Sequence, residues 1–390
     1  MQITGISAVA CNAQMRNWVF VRVETDVPGL IGWGEATLEW KTRSVIGAIA
    51  DFEPLLLGMD PRDIEQCFQV MTRHGFWRMG VIGMSAISGI EIALWDILGK
   101  SLDTPVWRLL GGKCREHLRT YTHLGMGNMS SVYETNSADE LAERGRQVVD
   151  AGYDAVKVVS IPYVHYIAPN RAIDGVGMAM DSLRQAVGPD VDIMVDFHGR
   201  PASAALARDF LRALEPARPL FAEEPVPPEQ IESCAELTRT SRISIAAGER
   251  LIGRAAFEDA IRRRAFHIAQ PDIVHVGGLG EAKKIAAVCE IAGVGVAPHN
   301  PLGPIAGIAA LHFGVSTPNH IIQEEMVGAV PWYDDVVQWP IDRKPGRWDL
   351  PDRPGLGLEV DEAEIARHPF EQEVLHTRNA VMPDGTVVDW

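Results

Sequence analysis

The sequence predicts an α/β protein: a (β/α)8 barrel preceded by a separate α+β unit. From about Leu118 onward, short apolar runs alternate with amphipathic helical stretches. Six of those runs end on a polar residue, Asp196, Glu223, Glu249, Asp272, His299 and Glu324, spaced 23 to 27 residues apart. One strand, one crossover helix and two loops fill such a spacing. The first 115 or so residues show no such alternation and form a unit of their own. If the strands close into a barrel, the six side chains share one mouth, which favours an enzyme over a binding module.

Taken in order, Ile3 to about Thr37 holds the alternating β-branched segments VFVRVETD and LIGWGEAT, read as antiparallel strands with a turn in PGLIG. Thr42 to Gly111 is helical in character, with SAISGIEIALWDILGK as its apolar helix. In the barrel, LRTYTHL is the first strand, YDAVKVV the second, and the six marked runs the third to eighth, a complete (β/α)8 count. From about Trp348 the Pro and Gly density indicates an extended return segment. The expected units are therefore 1–117, 118–347 and 348–390.

A formal charge of -16 argues against a nucleic-acid partner, and the one compact basic run, Arg262 to Arg264, reads as a solvated helix face. The five cysteines form no CxxC or zinc spacing, which suits a reduced, cytoplasmic protein. The N-terminus lacks signal-peptide character. No apolar run approaches the roughly 20 residues of a bilayer span, so membrane insertion is not expected. Neither GGLGEAKK nor GMGNMS has the glycine arrangement of a dinucleotide loop, and Walker and G-x-S-x-G patterns are missing.

Asp196, Glu223 and Glu249 close three consecutive strands. A single acid there is often a helix cap or an arginine partner, but three converging carboxylates repel one another unless a cation neutralises them. An all-oxygen set suits Mg2+ better than zinc. Glu224, out of phase with Glu223, is not expected to be a ligand. Asp272 beside His299 is the pairing that fixes an imidazole tautomer and raises its basicity, as a proton-abstracting base requires. His198, two residues beyond Asp196, reaches the same side in extended backbone and is the expected general acid. Burial near other negative charge favours a protonated Glu324 that donates a hydrogen bond, the alternative being a salt bridge to a barrel lysine. Lys157 ends the second strand near the metal carboxylates, and Val159 offers no second lysine on that wall.

These residues, together with GWGEAT, PVWRLLGG, VDFHGR, FAEEPV, AAGER, QPD, APHNPLGPIA and QEE in that order, resemble the enolase superfamily. Within it they are most similar to the mandelate racemase-like group and its acid-sugar dehydratases of the D-galactonate dehydratase type. The resemblance implies a cap completed by the C-terminal tail over a barrel whose first strand and last helix vary. It implies Mg2+ on Asp196, Glu223 and Glu249, an Asp272–His299 base, Glu324 hydrogen-bonded to an enediolate, and His198 protonating the leaving hydroxyl. Lys157 matches the first lysine of the racemases' Lys-x-Lys and Val159 departs from the second, which disfavours two-base racemisation. The implied reaction converts a D-galactonate-like hexonate to a 2-keto-3-deoxy acid. The alternatives are a different sugar acid, or an acid-sugar cycloisomerase or epimerase. The expected partner is a small sugar acid and the expected assembly a homo-oligomer. His165, flanked by Tyr163 and Tyr166 in the loop after the second strand, is a candidate sugar-hydroxyl ligand or alternative acid. Arg16, Trp18, Trp77 and Arg78 are candidate lid residues from the cap.

Overall fold

The structure is a computed structural model, and it describes residues 1–128, 137–326, 328–373 and 376–390; Met129 and Ser130 of the GMGNMS segment lie outside them. Strands β1 (Ile3–Ala13), β2 (Arg16–Thr25) and β3 (Ile31–Glu35) form an antiparallel sheet in sequence order. The alternation of β2 divides its side chains between two cores. Val19, Val21 and Val23 pack into the cap, while Trp18 and Phe20 join the cluster that continues into the barrel.

Helices α1 (Thr42–Leu56), α2 (Ile64–Arg73) and α3 (Gly80–Ser101) complete the cap, and the short α4 (Val106–Leu109) leads out of it. By length and composition α3 could cross a bilayer, contrary to the expectation that no segment is long enough. Its 22 residues instead form a core helix, with 72% of the apolar window buried inside the protein. It lies so close to β3 that a Cβ on Gly34 would come within 1.9 Å of the Gly89 carbonyl oxygen. Only glycine permits that approach.

The barrel strands are β4 (His117–His123), β5 (Ala155–Val158), β6 (Asp192–Asp196), β7 (Phe221–Glu223), β8 (Ile245–Ala247), β9 (Ile268–Ala269), β10 (Gly295–Val296) and β11 (Gln323–Glu324). Each pairs in parallel with the next from β4 to β10, and β11 pairs in parallel with β4. A parallel bridge from Val296 to His320, just before β11, completes the circuit. Inside it Tyr121, Ala155, Met194, Phe221, Ala246, Ile268, Ala297 and Ile322 form one cluster, each on a strand or the residue beside it. This mixture of large and small side chains fills the interior as a packed layer. The outward residues of the same strands, such as Val156, Ile193 and Ile245, pack against the surrounding helices.

The crossover helices are α5 (Ala138–Asp150), α6 (Asn170–Val187), α7 (Ala204–Leu214), α8 (Ile231–Thr240), α9 (Gly253–Arg263), the one-turn α10 (Ile273–Val276) with α11 (Leu279–Ile291), and α12 (Pro304–Val315). No eighth barrel helix follows β11 among the described residues. The chain continues as short strands: β12 (Val337–Gln338), β13 (Arg343–Lys344), β14 (Arg347–Asp349) and β15 (Glu359–Val360). β14 runs antiparallel to β4, so residues 347 and 348, between which the sequence divides barrel from tail, share one strand. After the one-turn α13 (Glu362–Ile365), the tail reaches the cap, where the Asn12 amide donates to the His368 carbonyl at 2.8 Å and Asn17 exchanges bonds with the Glu371 backbone.

Cap and barrel are joined through polar capping. Glu91 of α3 accepts the Leu279 and Gly280 amides at the start of α11, each at 2.8 Å. Glu35 of β3 does the same for Gly303 and Ala306 at the start of α12. The first amides of a helix have no intrahelical acceptor, so each carboxylate satisfies donors that burial would otherwise strand.

Candidate active site at the barrel mouth

Asp196 and Glu223 are the last residues of β6 and β7, and Glu249 stands two residues beyond β8. A ligand oxygen from each lies within 4.8 Å of the other two. Burial first, and then neighbouring carboxylates, push Glu223 and Glu249 well above the usual carboxylate range. Asp196 goes the other way, because His198 and Lys157 beside it outweigh its burial. A buried all-carboxylate set with two members reluctant to ionise is short of positive charge, and its oxygen donors fit a hard divalent cation.

Lys157 sits among these acids, its ammonium 2.6 Å from Glu324, 3.1 Å from Glu223 and 3.5 Å from Asp196. Burial opposes its charge, but Glu223 and Glu324 more than compensate and hold it well above the ordinary lysine range. Glu324 also bonds His123 Nε2 at 2.8 Å and accepts the Asn300 amide at 2.7 Å. These partners overturn the expectation of a protonated Glu324. Lys157, followed by His123, offsets its burial and keeps it ionised well below the usual range. The salt bridge to a barrel lysine, which the sequence offers as the alternative for this acid, is the contact that forms, with Lys157 as the lysine.

Two imidazoles bracket the trio. His299 lies three residues beyond β10, with Nδ1 2.7 Å from Asp272 Oδ2 and Nε2 3.7 Å from Glu249. Asp272 is itself fixed, because its other oxygen accepts the Val274 amide at 2.8 Å as the N-cap of α10. At the Asp196 end, His198 Nε2 is 3.2 Å from Asp196 Oδ2. The route taken by His198 differs from the expected one. β6 ends at Asp196, and His198 adopts φ +52°, so a left-handed turn rather than strand alternation returns the ring to its carboxylate. The His198 amide bonds Asp196 Oδ1 at 2.9 Å. Burial opposes protonation of His299, but the Asp272 hydrogen bond and the negative charge of Glu324 and Asp272 raise it to about 9.

A cavity of about 570 Å³ opens above these groups, lined by His198, Glu249 and His299 below and by Arg16, Glu39 and Trp390 above. Of the expected substrate contacts, Arg16 is on this wall. Trp18 is not: it is 1% exposed and packs edge-on against Tyr333, since it lies on the barrel-facing side of β2. Trp77 is 79% exposed and rests edge-on against Phe76 outside the cavity. Arg78 turns back to the Thr72 carbonyl. His165 packs at a tilt against Tyr166, away from the lining, and Tyr163 packs on Arg200. Val159 is buried.

Sequence reasoning missed His123, His275, Glu39, Trp40 and Trp390. His123 ends the first strand, so the strand-end rule applied one repeat earlier would have found it. His275, one helical turn after Asp272, lines the cavity and meets Ser85 of α3 at 2.9 Å. Trp390 packs between Trp40 and His198, with ring centroids 5.3 and 5.1 Å away. No local pattern announces such a contact.

Residues 5–111 match the mandelate racemase / muconate lactonizing enzyme N-terminal domain, and residues 140–364 the enolase C-terminal domain-like model. The D-galactonate dehydratase of Verminephrobacter eiseniae is 39% identical over 383 residues, 96% of each chain. An enolase from Pantoea ananatis, crystallised with D-gluconate and Mg, superposes with a TM-score of 0.89 at 30% identity, covering 100% of this chain and 99% of that one. An enolase from Agrobacterium radiobacter with bound Na and L-malate gives 0.90 at 28% identity over 100% of both. With both domain models matched and the barrel-mouth carboxylates in place, the chain belongs to the mandelate racemase / muconate lactonizing enzyme group of the enolase superfamily and is an enzyme.

Proposed function

We propose that the protein is a Mg2+-dependent dehydratase that converts a D-galactonate-like hexonate into a 2-keto-3-deoxy acid. The carrying observation is the pair of imidazoles at opposite ends of one carboxylate trio, His299 at Glu249 and His198 at Asp196. β-Elimination needs such a pair, a base for the C2 proton and an acid for the 3-hydroxyl. The names of the similar proteins, a D-galactonate dehydratase and an enolase bound to D-gluconate and Mg, support the substrate class and the ion.

Asp196, Glu223 and Glu249 would hold Mg2+, which supplies positive charge against the substrate carboxylate and the enediolate and offsets the field that keeps the His299 proton bound. His299, its tautomer set by Asp272, takes the C2 proton at Nε2. Lys157, clamped by Glu324, presents its ammonium to the enediolate oxygens. His198 gives a proton to the 3-hydroxyl, which departs as water, and the enol becomes the 2-keto-3-deoxy acid. Glu324 acts as the ionised anchor of Lys157 and not as a proton donor.

Incubation with a panel of hexonates and hexarates, with keto-acid release followed as the semicarbazone, tests the reading. Release of a 2-keto-3-deoxy acid is expected. Epimerised or cyclised substrate without it would replace the dehydratase with an isomerase of the same superfamily.

A further inference from the structure

The roof of the cavity is electrically closed. Arg16 of β2 is almost fully buried, donates to the Pro301 carbonyl at 2.8 Å, and forms an ion pair with Glu39 from the loop after β3. Arg250, the other arginine on the lining, is held by Glu224 at 2.7 Å. The remaining cationic candidates are imidazoles, with His198 against Asp196, and His299 and His275 both facing Asp272. Around the roof pair the wall is apolar, made by Met15, Leu38, Trp40 and Trp390. One end of the cavity therefore gathers the groups that would meet a carboxylate and a cation. The other offers hydrogen-bonding groups whose charges already cancel. A neutral hydroxylated tail fits that end. A second carboxylate would meet Glu39 with no uncompensated cation beside it among the described lining residues, in a site where low dielectric magnifies the repulsion.

We propose that Glu39 is a specificity-determining residue: by neutralising Arg16 it admits acids with one carboxylate and a neutral polyol tail and excludes diacids of the same length. The inference rests on the sugar-acid reading of the site and goes beyond it by assigning the choice between monoacid and diacid to one ion pair. Removing only the negative partner should release Arg16 to bind a distal carboxylate. Removing both partners should not, since no cation is then released. A residue that merely props up the loop would not produce that sign pattern.

The full-length protein with Mg2+ is assayed on D-galactonate and on galactarate, and both acids are also titrated calorimetrically. The wild type is expected to bind galactarate at least about tenfold more weakly than D-galactonate. Glu39→Gln should shift the kcat/KM ratio toward galactarate by about tenfold or more, mostly through KM, and the Arg16→Gln/Glu39→Gln double variant should return toward the wild-type ratio. Equal binding of the two acids by the wild type overturns the proposal without reference to any variant, which covers the case in which a variant fails to fold. An unshifted ratio in Glu39→Gln overturns it too, as does a double variant that gains as much as the single one. If the wild type binds D-galactonate but releases no keto acid, the dehydratase reading fails, and charge selection is read from the dissociation constants of the same three proteins. If neither acid binds, the sugar-acid reading and this inference fall together.

Discussion

Functional side chains on the cavity floor hang from a strand end or from the few residues after it, whereas the roof is assembled from β2, the loop after β3 and the far end of the tail. On the floor, Asp196, Lys157 and Glu324 each have two or more polar partners, and none depends on a long loop for its position. On the roof, Arg16 pairs with Glu39 and Trp40 packs on Trp390, 350 residues further along the sequence, and all four line one cavity. The division separates two tasks: the parallel strand ends fix the chemistry, and irregular segments shape what can enter.

The most severe break of this comparison is on the floor. Glu249→Gln removes one charged oxygen from the preformed trio that would hold the proposed Mg2+, so Mg2+ affinity and turnover should each fall by roughly two orders of magnitude or more, with the melting temperature little changed. Calorimetric titration with Mg2+ decides it, and unaltered affinity would remove Glu249 from the ligand set.

Next come the two histidines, which share the floor and which the proposed reaction uses at different times. His299→Asn should abolish both exchange of the C2 hydrogen with solvent and dehydration, because nothing follows without proton abstraction. His198→Asn should stop dehydration yet leave exchange measurable in deuterated water, since His299 still forms and reprotonates the enediolate. Wild-type dehydration by His198→Asn would assign the leaving-group proton elsewhere. Exchange surviving in His299→Asn would move the base to the other wall.

The floor was legible because strand ends recur at a nearly fixed spacing, and a polar residue ending an apolar run is a local signal. That signal located Asp196, Glu223, Glu249, Asp272, His299 and Glu324, but not the charge state of Glu324, which depends on Lys157 and His123 from two other strands. His198 was found by an argument about extended backbone that its left-handed φ does not obey. The roof was illegible for a physical reason: tryptophan and arginine in irregular segments look alike whether they point into a core, a cavity or solvent. Trp18 and Trp77, grouped by sequence as lid candidates, lie at the two extremes of exposure.

Trp18→Ala tests one extreme. Its indole is packed with Phe20 and Tyr333, so truncation should cost about 3–5 kcal/mol of stability, visible as a lower thermal midpoint. A smaller effect is expected at the seam between cap and barrel. Burial, partly offset by hydrogen bonds from Gly280, Trp95 and Leu279, raises Glu91 from 4.5 to about 7. The folded protein thus holds a proton that the unfolded chain releases above about 4.5. This stabilising contribution is complete below that pH and is lost as pH rises through about 7. Glu91→Gln lacks the titration, so the difference in melting temperature between wild type and variant should narrow between about pH 5 and about pH 8. A constant difference would mean that Glu91 does not titrate in this range.

The smallest expected effect concerns the other extreme. Trp77 is 79% exposed, and its one ring partner among the described residues is Phe76, itself 78% exposed. A side chain so placed has little burial to lose, so Trp77→Ala should change stability by no more than about 0.5 kcal/mol. It does not line the cavity, so kcat/KM on the accepted acid should stay within about threefold of wild type. Val81, four residues on at the start of α3, does line the cavity, so this loop is one helical turn away from the roof. A tenfold loss of kcat/KM with unchanged stability would therefore show that the Phe76–Trp77 pair swings over the substrate during turnover. The roof would then extend beyond Arg16, Glu39, Trp40 and Trp390 to include the lid read from the sequence, and the contrast between a fixed floor and an adaptable roof would sharpen.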